Sequence, residues 1–112
     1  MVDKAYQENK NVTLSQAEVN ALKKAILYLK FECEETNSLL YAGSPLINSV
    51  LNKIVEVDDL GEVSKAFYAQ RNVKNEEVIR DKKMRYALEN GKEYNPLNDD
   101  SFQDYIFPFF YS

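Results

Sequence analysis

The chain has 112 residues, 45% of them hydrophobic and 29% charged, with a formal net charge of −4. That length is one domain, able to bury a core without metal or disulfide staples, and the composition is far from that of disordered chains. The acidic balance disfavours a general binder of nucleic acid or anionic membrane, because phosphate affinity comes from surplus Lys and Arg.

The single cysteine, Cys33, has no internal disulfide partner, so nothing suggests an oxidising compartment. No stretch has the form of a signal peptide, and no run approaches the roughly 18 apolar residues of a membrane span. A cytoplasmic location is expected. Abundant Asn, Lys, Tyr, Ile and Glu, with no Trp or His, fit AT-rich codon usage and hint at a low-GC bacterium or its phage.

Residues 1–13 are polar, without an apolar period, and read as an N-terminal arm; residues 14–112 read as a single helical domain. Ser15-Gln16-Ala17-Glu18 has the form of a capping box, with Leu14 and Val19 placed for a hydrophobic staple. A helix starts there. Val19, Leu22, Ile26, Leu29 and Cys33 then recur at spacings of three and four, so one face is core and Cys33 is expected on it. The pattern extends to Gly43, weakened at Thr36-Asn37-Ser38.

Ser44-Pro45 supplies an N-cap and a first-turn proline for a second helix. Its apolar residues Leu46, Ile47, Val50, Leu51, Ile54 and Val55 are dense enough to predict the most buried element of the fold. A cap-like start at Asp59-Leu60-Gly61 opens an amphipathic stretch with Leu60, Val63 and Phe67. Residues 60–90 fit either one long helix or two, with Asn75 as the cap of the second. Val78, Ile79, Tyr86 and Leu88 mark its apolar stripe, and Asn90-Gly91 is a stop. The three glycines, Gly43, Gly61 and Gly91, all stand at helix boundaries and read as caps.

A turn-rich connection over residues 94–100 leads to a tail holding six of the chain's fourteen aromatic residues. So much ring area does not stay in water. The predicted architecture is all-α: a small up-and-down bundle of three to five helices with the aromatic C-terminal tail packed back on it.

Catalytic chemistry leaves little trace. Without His there is no Ser/His or Cys/His pair and no zinc site of the usual kind, and three scattered glycines make no phosphate loop. The acidic pairs Glu34-Glu35, Asp58-Asp59, Glu76-Glu77 and Asp99-Asp100 fall at expected helix ends or exposed faces. No enzyme activity, catalytic residue, metal or cofactor is expected.

Two groups of residues are candidate contacts. In the tail, acids beside aromatics (Asp99, Asp100, Phe102, Asp104, Tyr105, Phe109 and Tyr111) resemble a surface that steers and anchors a basic partner; the alternative is that the rings complete the core. The dense basic cluster Arg80, Lys82, Lys83 and Arg85 could grip phosphate, but Glu76, Asp81 and Glu89 sit at helix-neighbour spacings and predict a self-paired, solvated face. The leading expectation is a non-catalytic protein-binding module, an acidic inhibitor, antagonist or immunity-type protein of a phage or other mobile element. It would contact one protein, basic rather than acidic, with nucleic acid and membrane disfavoured. A homo-oligomeric assembly protein, self-associating through the tail, and a nucleic-acid regulator using the Arg80–Arg85 helix are the alternatives.

Overall fold

The computed structural model describes residues 9–110. Of the predicted arm, residues 1–8 lie outside the described residues, as does Tyr111 of the tail; residues 9–13 are exposed and take no regular structure. The described residues form an all-helical bundle: α1 (Gln16–Phe31), α2 (Leu39–Ala42), α3 (Pro45–Val57), α4 (Gly61–Tyr68), α5 (Val73–Glu89) and α6 (Phe102–Ile106), with single 3-10 turns at Thr36–Ser38 and Pro96–Asn98. Four of these run two turns or more, within the expected range.

Both halves of the capping box are present at α1: Ser15 Oγ accepts from the Glu18 N–H at 3.1 Å, and Glu18 Oε1 accepts from the Ser15 N–H at 2.9 Å. The helix stops at Phe31, well before Gly43. Glu32, Glu34 and Glu35 crowd its C-terminal end, where the helix dipole disfavours negative charge, and the Glu32 and Cys33 N–H groups both turn back to the Tyr28 carbonyl. Cys33 therefore lies beyond the helix and is half-buried, not part of the helix's core stripe.

Ser44 caps α3 through its hydroxyl, which accepts from the Ile47 N–H, with Pro45 in the first turn. Residues 60–90 form two helices, broken after Tyr68. The cap of α5 is Asn72, whose side chain accepts from the Asn75 N–H, so Asn75 is the capped residue and not the cap. Only Gly91 has the left-handed backbone of a stop residue, φ 65°.

The core has two parts. Phe31, Ala42, Ile79, Phe102, Ile106 and Phe109 form one; Val19, Ile26, Leu51, Ile54 and Val55 form the other, and Leu27 and Tyr68 pack against both. The tail closes the first part. Phe109 makes edge-on contacts with Phe31, Phe67 and Tyr68 at centroid distances of 5.2–5.6 Å, geometry worth about 0.5–1.5 kcal/mol per pair beyond area burial.

Candidate functional site

The tail residues separate by environment. Phe102 and Phe109 are interior, Tyr105 is half-buried, and Asp100 and Asp104 are exposed. The rings thus complete the core, as the predicted packed-back tail requires, and the candidates among the described residues are not gathered on one surface. Asp99 is held inside. Burial raises its pKa, but donors from Lys83, Tyr94 and Ser101 outweigh that and leave it lowered.

The basic cluster is also dispersed. Arg80 stacks on the Phe102 ring at 4.5 Å, Lys83 pairs with Asp99, and Arg85 bonds Asp81 and the Glu34 carbonyl. Lys82 is fully buried, contrary to a solvated face. Its ammonium donates to the Leu29 and Lys30 carbonyls at 3.3 and 2.9 Å and to Ser38 Oγ at 2.9 Å. Those carbonyls belong to the last turn of α1, where no backbone N–H can reach them. Lys82 caps α1 from inside the protein.

Lys30 does the same for two other helices. Also fully buried, it donates to the carbonyl of Ala42, which ends α2, and to those of Asp104 and Tyr105 in α6, while Asn48 Nδ2 shares the Asp104 carbonyl at 2.8 Å. Burial pushes the Lys30 pKa down to about 7, against the nearby Asp104 carboxylate, which raises it; burial lowers Lys82 as well. Glu76 does pair with Arg80, at 3.8 Å, but it is fully buried and not on an exposed face, and it also accepts from Nη2 and Nε of Arg71 at 2.7 and 3.0 Å. Apolar periodicity could not reveal these residues, although Lys30 falls four positions after Ile26, on the core line of α1.

The outer side of α3 and α4 departs most from expectation. α3 buries only Asn48, Leu51, Ile54 and Val55, and α4 buries none of its residues. Leu46, Val50, Val57, Leu60, Val63 and Phe67 are between 42% and 68% exposed. On α3, residues 46, 50, 53 and 57 fall within about 60° of one another at 3.6 residues per turn. They form a second apolar line, broken only by Lys53, on the side away from the core. The dense apolar content that predicted the most buried helix belongs to a helix with two apolar faces. The carboxylates of Glu56, Asp59 and Glu62 are exposed on the same two helices and their connection, with Lys65 paired to Glu56 at 3.1 Å.

A cleft of about 910 Å³ opens between Leu39, Leu40 and Pro45 on one side and Tyr86, Ala87 and the 92–99 segment on the other. Tyr105 and Lys83 line it too, so it unites two of the tail candidates, Asp99 and Tyr105, with one member of the basic cluster. The Tyr105 ring lies between the Lys83 ammonium, 3.8 Å from its centroid, and Gly43. A Cβ on Gly43 would stand 2.4 Å from that ring. With φ −96°, Gly43 serves by lacking a side chain, not as a left-handed cap.

Among the described residues no helix is long and apolar enough to cross a membrane. No family model matches the chain, and no curated protein or solved structure is significantly similar to it.

Proposed function

We propose that this protein is a non-catalytic protein-binding module, of the inhibitor, antagonist or immunity type carried by phages and other mobile elements, and that it engages its partner through the outer face of α3 and α4. The observation that carries the reading is the second apolar line of α3, Leu46–Val50–Val57; Leu60, just before the following helix, and Val63 and Phe67 on it are exposed as well. Single exposed apolar residues are ordinary, but an aligned series along one helix face marks a contact surface. Covering it would contribute about 1 kcal/mol per half-exposed side chain before association costs.

Charge specifies the partner's character. The exposed Asp59 and Glu62, which follow α3 in the chain, together with the net charge of −4, favour a partner whose apolar patch is rimmed by Lys or Arg. The tail then acts indirectly, since Phe109 packs against Phe67 and Tyr68 and so holds α4 in place.

The test is affinity capture from a low-GC bacterial lysate with wild-type protein and Val50→Asp, beside light scattering of the purified protein at two concentrations. A basic protein bound one-to-one by a monomeric wild type, and lost in Val50→Asp, is the expected result. A concentration-independent oligomer that Val50→Asp dissociates, with no partner captured, would replace this reading with self-assembly through the same face.

A further inference from the structure

We propose that the cleft between α2, the C-terminal half of α5 and residues 92–99 binds an uncharged small molecule built around an aromatic or fused ring. This site shares no residue with the α3–α4 face and does not rest on the function proposed above. Its volume of about 910 Å³ lies within the roughly 300–1,000 Å³ of pockets that enclose drug-sized ligands.

The walls set the chemistry. Leu39, Leu40 and Pro45 face the rings of Tyr86 and Tyr94, surfaces suited to a flat apolar body. Four charged side chains line the cleft, and they come as opposite neighbours: Lys83 with Asp99 by contact, and Lys92 with Glu93 in sequence. The Asp99 carboxylate also accepts from Tyr94 Oη at 2.7 Å and Ser101 Oγ at 2.9 Å, and the Lys83 ammonium is seated on the Tyr105 ring. The lining sums to zero charge with its deepest ion pair internally satisfied. An ion seated against the Lys83–Asp99 pair would lose hydration without gaining an unengaged counter-ion there, whereas a neutral ligand avoids that cost.

The experiment titrates the full chain with N-phenylnaphthylamine, an uncharged fused-ring probe that fluoresces in apolar surroundings, and with its anionic relative anilinonaphthalene sulfonate. The neutral probe is expected to saturate at one per chain and to bind about tenfold or more tightly than the anionic one. Leu40→Asp, at an exposed wall position, should weaken it by at least about tenfold, while Val50→Asp on the outer face of α3 leaves it unchanged. Asp99→Asn leaves the lining with one excess positive charge and should shift preference towards the anionic probe.

In wild-type protein the ring resonances of Tyr86 and Tyr94 should move on titration with the neutral probe, a readout that stands even where a variant fails to fold. Absence of saturable binding, equal or tighter binding of the anionic probe, unmoved tyrosine resonances, or loss of binding in Val50→Asp with retention in Leu40→Asp would each overturn the proposal.

Discussion

On α5 the residues that face inward include Glu76 and Lys82, whereas on α3 and α4 the residues that face outward include Leu46, Val50, Val57 and Val63. Charge is inside one region and apolar surface is outside the other. Each departure from the usual partition has its own cause. Lys82 and Lys30 stay inside because helix ends leave buried carbonyls without backbone partners, which their long cationic side chains reach. No such bond accounts for the outward leucine and valines, which contribute little to the packing of this chain. In this fold an interior lysine is a structural part, and an exterior valine is the better indicator of contact with another molecule.

The largest effect is expected at Lys82. Lys82→Met keeps the volume but strands two carbonyls and a hydroxyl in the interior, and should cost about 3 kcal/mol in urea unfolding; a cost below about 0.5 kcal/mol would mean that the ammonium caps nothing. Next comes Gly43→Ala, whose added methyl must displace the Tyr105 ring. A loss of about 2 kcal/mol is expected, with a lower thermal midpoint, and Tyr105→Leu in the same chain should recover part of it.

Acidity sharpens the contrast between the buried groups. Asp58 ties α1 to the turn before α4 through Lys23 at 2.6 Å, the Leu60 N–H and Gln16, and these bonds lower its pKa from 3.8 to about 2. Its contribution is complete above the ordinary carboxylate pKa and is lost as pH falls towards 2, so Asp58→Asn should flatten the acid side of the stability profile. Lys30 has the opposite sign. Its pKa is lowered on folding, so folding releases a proton between about pH 7 and the ordinary lysine pKa of 10.5, and its contribution grows with pH across that window. The stability of wild type relative to Lys30→Met, followed by urea unfolding from pH 6 to about 9, should therefore rise on the alkaline side.

The smallest effects belong to the outer face. Leu46→Ser, Val57→Ser and Val63→Ser should each change stability by no more than about 0.5 kcal/mol, since these side chains already meet water.

Local signals in the sequence were legible where chemistry is local. The capping box at Ser15, the Ser44-Pro45 start and the Gly91 stop read directly, because a cap is decided by a few adjacent residues. The aromatic tail's return to the core was legible directly, since rings that large seek cover. What could not be read was which of two apolar faces on α3 would meet the core, because that depends on where α1 ends and α2 turns. The interior lysines were hidden for a related reason: Lys82 sits among exposed cations in sequence, and only the approach of α1's last turn makes its position internal. The cleft joins Gly43, Lys83, Asp99 and Tyr105 from four segments, and no spacing in the chain links them.

Partner capture by the Leu46→Asp/Val50→Asp double variant beside wild type, with urea unfolding of both as the control, tests the claim that the outer face of α3 is dispensable to the fold and reserved for contact. The variant should unfold within about 1 kcal/mol of wild type and fail to retain the basic protein that wild type captures. Retention of the same protein by a folded variant would contradict the claim, and so would a variant that no longer folds, which would return that face to the core.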